Sequence, residues 1–222
     1  MELKRPWVIA AVLTAAIVYA AMWIGYLQNW GWLAAIDSAS LQVFHDFGAT
    51  RPGWVQFWVL FCIVFGPTGF RLMALVLIVA ALIRRNLATA LFLIISVELM
   101  GLVTEVAKRI AGRPRPDTAL TDAASSSFPS GHALGVTVGV LALLTVAWPF
   151  AGRRLRMSLA VVGAALIFAV GLSRVMLNVH HPSDVVAGWA LGVLYYLLCV
   201  RLMPPETLTS EAETPAELDS VP

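Results

Sequence analysis

MSLAVVGAALIFAVGLS (157–173), RVMLNVHHPS (174–183) and DVVAGWALGVLYYLLCVRLM (184–203) read as an apolar run, a polar turn and a second apolar run. At 1.5 Å of rise per residue each run is long enough to cross a hydrocarbon core of about 30 Å, the first only just. A bilayer interior offers no water to stray backbone N–H and C=O groups, so both crossings must be helical. The bend carries Arg174, His180 and Asp184 beside lipid. On insertion scales an Arg or Asp near the centre of such a helix costs about 2.5–3.5 kcal/mol, so ionisable groups in this setting mark a site rather than a fold.

The same reading extends along the chain. Of its 222 residues 59% are hydrophobic and 13% charged, more apolar surface than a soluble domain can hide. The expected fold is all-α: one polytopic membrane bundle over 1–203, with its motif-bearing core over 87–203 and a disordered acidic tail over 204–222. Six spans are expected, near 7–27, 67–83, 87–107, 132–149, 157–173 and 184–203. The first is read as an uncleaved span rather than a signal peptide, although Ala20 and Ala21 are small enough for a cleavage site. Gly66-Pro67 interrupts the apolar stretch 54–83, so residues 54–65 are expected to form an interfacial helix feeding a shorter span. Residues 28–53 are read as a polar connector and 112–129 as an irregular loop. Cys62 and Cys199 sit in apolar runs and suggest neither a disulfide nor a metal knuckle.

Cations set the orientation. With six alternating spans, Lys4, Arg5, Arg84, Arg85, Arg153, Arg154, Arg156 and Arg201 fall on one side, expected to be the cytoplasm of a cell (inner) membrane, with both termini there. The opposite, extracytoplasmic face receives Lys108, Arg109, Arg113, Arg115 and Arg174, where the rule places few cations. Something on that face must favour positive charge.

Three clusters gather there, at the ends of the third to sixth spans. In KRIAGRPRP (108–116), Lys108 follows the third span and Arg115 comes after Gly112 and Pro114 break the helix, so helix and loop can aim both at one phosphoryl group. The plainer reading is a basic patch on anionic headgroups. In PSGH (129–132), Ser130 is an N-cap, Gly131 permits close backbone approach, and helix-start amides seat an anion beside His132, a proton donor. The plainer reading is a capping Ser with an interfacial His. In the third cluster a near-helical turn from His180 lets Asp184 reach back to one imidazole nitrogen and leave the other free to attack phosphorus, against an Asp that merely caps a helix. Convergence on one face favours the chemical reading of all three, phosphoryl transfer without a metal.

These residues resemble the type-2 phosphatidic acid phosphatase family, whose signature is Lys-x6-Arg-Pro, Pro-Ser-Gly-His and Ser-Arg-x5-His-x3-Asp. All three parts match in spacing and order between Lys108 and Asp184. The resemblance implies a helical core and hydrolysis of a lipid phosphate or pyrophosphate through a phosphohistidine, with no metal or other cofactor. It implies His180 as nucleophile, Asp184 as its orienting acid and His132 as proton donor, with Lys108, Arg115, Ser130, Gly131 and Arg174 as the phosphate clamp. The implied partners are a membrane lipid phosphate (phosphatidate, phosphatidylglycerol phosphate or a polyprenyl pyrophosphate) and the bilayer itself, not nucleic acid.

Residues outside the signature are read more plainly. Arg109 and Arg113 match no position and are taken as solvated, His181 fills a variable one, and Ser173 has no evident chemical role. Glu98 is read as a protonated or hydrogen-bonded packing residue, Glu105 as an ion-pair partner of Lys108, and His45 as solvated. Two rival functions stay open at this point. Vanadate-dependent haloperoxidases share the constellation but are typically soluble, and a non-catalytic lipid binder or transporter has no need of the His180 and Asp184 pair. A metal hydrolase built on His132, His180, His181 and Asp184 conflicts with the surrounding cations.

Overall fold

The computed structural model describes residues 5–123 and 125–206, and among them every regular element is helical. Six helical stretches are long and apolar enough to cross a membrane: Pro6–Leu27, Pro52–Ile83, Leu87–Ala111, Gly131–Phe150, Arg153–Met176 and Pro182–Leu202. The expected spans are all present, five of them displaced at their ends by a few residues, while the stretch that holds the second, expected over 67–83, begins already at Pro52. Lipid-facing positions are bare aliphatics such as Ile17, Leu60, Val76, Leu102 and Val161. The acidic tail expected over 204–222 lies outside the described residues beyond Glu206.

In chain order α1 (Arg5–Leu27) packs along α9 (Pro182–Leu202), and α7 (Gly131–Ala147) lies between α9 and α8 (Arg153–Met176). α7 is the hub of the core, with Ala133, Leu134, Val136, Val138 and Ala142 wholly buried. Close helix approach in a membrane depends on small residues, and Gly188 of α9 is one such point. A Cβ there would stand 2.6 Å from the carbonyl oxygen of Ser130, at the very start of α7. The first turns of α7 and α9 are joined as well by a backbone bond, Ser130 N–H to Asp184 O at 2.9 Å.

One stretch departs from the expected layout. Residues 28–53 are not a simple connector: they hold α2 (Gly31–Gly48), which buries Leu33, Asp37 and Leu41 on one face against α8 and α9. Only one stripe of this helix is buried, and it includes a carboxylate, so the stretch carries no long apolar run. The break at Gly66 is where expected, dividing α3 (Pro52–Phe65) from α4 (Pro67–Ile83).

The third span is built in three parts. α5 (Leu87–Leu93) passes through a π-helical turn, Ile94–Glu98, into α6 (Met100–Ala111). There the Leu99 N–H reaches five residues back to Ile94 O at 3.0 Å. The loosened carbonyls of Ile95 and Glu98 accept from Tyr195 Oη (2.5 Å) and Arg71 Nη2 (3.2 Å). Of Glu98, expected as a protonated or hydrogen-bonded packing residue, Oε1 is buried and meets no donor among the described residues. Arg71, an intramembrane cation of α4, had no signal in the spacing of any motif.

Gly188→Ala is expected to force α9 away from the start of α7 and to destabilise the protein by about 1–3 kcal/mol, read as a lowered thermal midpoint in detergent.

Candidate active site

The helix ends that converge on the site owe their positions to local signals. Gly112, at φ 59°, stops α6 in the left-handed conformation with its N–H on Lys108 O at 2.9 Å. Ser130 starts α7 as its N-cap, Oγ accepting from Ala133 N–H at 3.5 Å. Pro182 is the first residue of α9, with Asp184 in its first turn. The chain between α8 and α9 wraps round one carbonyl, that of Arg174, which accepts from the N–H groups of Val179 (3.1 Å) and His180 (3.3 Å).

The loop after α6 is folded onto the site. Ser127 N–H donates to Arg113 O at 2.7 Å, and Ser126 Oγ to Lys108 O at 2.8 Å. Lys108 is buried and donates from Nζ to Ser126 O and to Ser125 Oγ at 3.2 Å. Arg115 donates to Ser125 O (3.1 Å) and Val179 O (2.6 Å) and stands 3.3 Å from His180 Nε2. Gly131 lets the start of α7 lie close against α6, since a Cβ there would be 3.0 Å from Thr104 Cγ2. Arg174 is buried, and its Nε meets no acceptor among the described residues. His132 lies within electrostatic reach of Arg174, His180, Lys108 and Arg115.

His180 and Asp184 are respectively 2% and 0% exposed. His180 Nδ1 lies 3.5 Å from Asp184 Oδ2, within ion-pair distance but without a hydrogen bond among the described residues, and Nε2 points toward the guanidinium of Arg115. An Arg donor beside Nε2 and a carboxylate beside Nδ1 both favour the neutral tautomer that carries its proton on Nδ1. Burial pushes the His180 imidazole down to about 4; Asp184 opposes the shift, while Arg174 and Arg115 add to it. Arg115 is also lowered from its ordinary value, first by burial and then by the charge of Arg174. A neutral imidazole whose Nε2 lone pair faces the Arg115 guanidinium can attack an anionic electrophile once that guanidinium turns its donors to the electrophile's oxygens.

The eight candidate site residues therefore lie at one end of α6, α7, α8 and α9. The sequence reading erred on Arg113. It is not solvated but buried, donating from Nη1 to Asp184 Oδ1 (2.6 Å) and Ser183 Oγ (2.7 Å) and from Nη2 to Asp37 Oδ2 (2.8 Å). Arg109 is exposed and takes Glu105 at 2.8 Å, so Glu105 pairs with Arg109 rather than with Lys108. His45 is bonded, not merely solvated, with Nδ1 3.1 Å from Thr118 O. Asp184 also does what the plainer reading proposed, since Oδ2 accepts the His181 N–H at 2.9 Å while meeting Ser127 Oγ and His181 Nδ1 (3.2 Å). Ser173 gains a structural part, its hydroxyl donating to Val170 O (2.6 Å) beside Cys62 Sγ (3.0 Å).

A family model described as the PAP2 superfamily matches residues 86–208, more than half of the chain. The chain belongs to the PAP2 superfamily. PAP2 relatives include phosphatidylglycerophosphatase B of Bacillus subtilis, 38% identical over 101 residues that make up 44% of this chain and 49% of that protein. The undecaprenyl-diphosphatase of Sulfolobus acidocaldarius is 33% identical over 128 residues, 54% of this chain and 57% of its own. A lipid A 1-phosphatase of Rhizobium etli is 36% identical over 119 residues, 48% and 47% of the two chains. This chain thus spans about half the length of the curated PAP2 relatives it matches. A solved structure, the first transmembrane PAP2 type phosphatidylglycerolphosphate phosphatase from Bacillus subtilis, superposes with a TM-score of 0.67 at 25% identity, covering 88% of this chain and 94% of that one. The protein is accordingly a multi-pass membrane protein of PAP2 fold.

The His180 ring is expected to titrate near pH 4 in the folded protein. Its carbon-labelled NMR signal, assigned by its loss in His180→Ala, should hold still from pH 8 to about 5.5 and move only below that. A midpoint close to the ordinary histidine value of about 6.5 would contradict the burial described.

Proposed function

We propose that this protein is an integral-membrane lipid phosphatase that removes the terminal phosphate of a lipid phosphate or pyrophosphate. The observation that carries the reading is the buried neutral His180, its Nε2 beside Arg115 and its ring within the field of Arg174, with a buried carboxylate behind Nδ1. The relatives, a phosphatidylglycerophosphatase, an undecaprenyl-diphosphatase and a lipid A 1-phosphatase, support the same class of substrate.

In this mechanism Lys108, Arg115, Arg174, the Ser130 hydroxyl and the Gly131 amide at the start of α7 hold the three phosphoryl oxygens. His180 Nε2 attacks phosphorus as the bond from phosphorus to the lipid oxygen breaks, and His132 gives that oxygen a proton. The product is a lipid alcohol, or a lipid monophosphate where the substrate is a pyrophosphate. Water, deprotonated by His132, then attacks the phosphohistidine and releases inorganic phosphate and free His180. The clamp stabilises charge that grows on the equatorial oxygens in both steps, and such preorganised donors are worth roughly 10²–10³ each in rate.

The site belongs to the extracytoplasmic face on this reading, and both termini to the cytoplasm of the cell (inner) membrane. Support comes from the opposite ends of the same helices, where the exposed Arg84, Arg85, Arg153, Arg154 and Arg201 gather.

His180→Ala is expected to lower turnover of dioctanoyl phosphatidate by about 10³-fold or more and to abolish acid-labile phosphoenzyme, with wild-type rates kept in excess chelator. Hydrolysis that survived in this variant would exclude the covalent route and favour a protein that only binds the lipid. Intact cells are expected to hydrolyse a membrane-impermeant lipid phosphate. Activity that emerges only on lysis would reverse the orientation.

A further inference from the structure

Asp37 lies on α2, outside the segment that the family model matches, yet it is 3% exposed and holds three hydrogen bonds at the edge of the site. Its Oδ2 accepts from Arg113 Nη2 (2.8 Å) and from Ser183 Oγ (2.6 Å), and its Oδ1 accepts the Ser183 N–H (3.0 Å). On the other side of the same guanidinium, Arg113 Nη1 donates to Asp184 Oδ1 at 2.6 Å. Ser183 closes the ring, receiving from Arg113 and giving its one hydroxyl proton to Asp37. The Tyr26 ring of α1 lies 4.7 Å from the guanidinium carbon. Arg113 is thus clamped in its plane by two carboxylates and a hydroxyl and on its face by an aromatic ring.

Resting on the assignment of His180 as nucleophile and Asp184 as its orienting acid, we propose that Asp37, acting through Arg113 and Ser183, is a positioning residue for the reaction. A terminal carboxylate torsion is soft, and Asp184 has to present Oδ2 to His180 Nδ1 while fully buried. Ser127 and the His181 N–H hold Oδ2, and Arg113 completes the fixing of that torsion by taking Oδ1. A lone Arg in this position would also cancel the negative charge that His180 must feel when its ring becomes cationic on phosphorylation. Asp37 removes the conflict: it neutralises Arg113 from the far side, so Asp184 is held in place and yet keeps a net negative charge toward His180. The three groups sum to one negative charge, matched to one histidine that turns positive during the reaction.

The alternative is that the cluster merely fastens α2 to α9. The two accounts separate on kinetics, because loosening a helix disturbs phosphate binding along with chemistry, whereas misdirecting Asp184 slows only the attack. The full-length chain in detergent, with dioctanoyl phosphatidate as substrate and inorganic phosphate as inhibitor, gives the phosphorylation rate in single turnover, the inhibition constant of phosphate and the thermal midpoint. Asp37→Asn is expected to slow phosphorylation by about 10–100-fold with the phosphate constant within about threefold of wild type, and Ser183→Ala to slow it by about 3–10-fold. Arg113→Lys keeps the charge but not the fork, so it is expected to hold the wild-type midpoint within a few degrees and still lose about tenfold or more in rate. Phosphorylation within twofold of wild type in folded Asp37→Asn overturns the proposal, as does a parallel loss of rate and phosphate affinity. Should Asp37→Asn not fold, the same two outcomes in Ser183→Ala decide against it. His180→Ala run alongside separates the levels: turnover surviving there removes the underlying site assignment, whereas an inactive His180→Ala beside a fully active Asp37→Asn removes the positioning role alone.

Discussion

A carboxylate with no exposed surface must have its charge and lone pairs answered from within, and Asp184 imposes that demand on everything around it. Its Oδ1 is met by Arg113 and its Oδ2 by Ser127, by the His181 backbone and by the two histidine rings. These partners come from the loop after α6 and from the turn before α9, so one side chain draws separate segments to a single point. Leaving a buried charge unpaired costs about 3–5 kcal/mol, a large share of the stability of a chain this size. No regular element forms among the described residues of the loop from Gly112 to Pro129, and Arg113 and Ser127 tie that loop to Asp184.

What could be read from the sequence follows from the distance over which each signal acts. Spans were legible because length and apolarity are properties of contiguous residues, and His180 with Asp184 because a separation of four in a near-helical turn is itself a statement of contact. The caps at Ser130 and Gly112 were legible for the same reason. Arg113 was not. Its partner Asp37 lies 76 residues away, and nothing near either residue says that the other will be buried against it. The α2 helix escaped notice because its buried stripe includes that same aspartate, which breaks the apolar pattern that would have announced a helix. Glu105 misled in a smaller way: Lys108 and Arg109 both lie within a turn of it, and Lys108 turns inward to the loop while Arg109 remains at the surface.

The bilayer explains why the polar groups sit where they do. Helix ends are the only places in a spanning bundle where backbone amides are unsatisfied and a chain can turn, so they supply both anion-binding N–H groups and loops that bring in cations. α6 and α8 contribute their last turns, α7 and α9 their first, and the alternation of direction places two of each at the same level. The hydrocarbon outside these ends is faced by bare aliphatics, which keeps the charged cluster shielded from lipid.

The π-helical turn at Ile94–Glu98 has an angular consequence. One extra residue in a helical turn advances every later side chain by about 100° round the axis relative to an unbroken helix. Lys108 lies ten residues beyond Glu98, so its heading toward the serine loop, and not toward lipid, is set by that single irregularity in mid-membrane. The compass bearing of the site's first cation is fixed about 15 Å below it, where a tyrosine and an arginine hold the widened turn open.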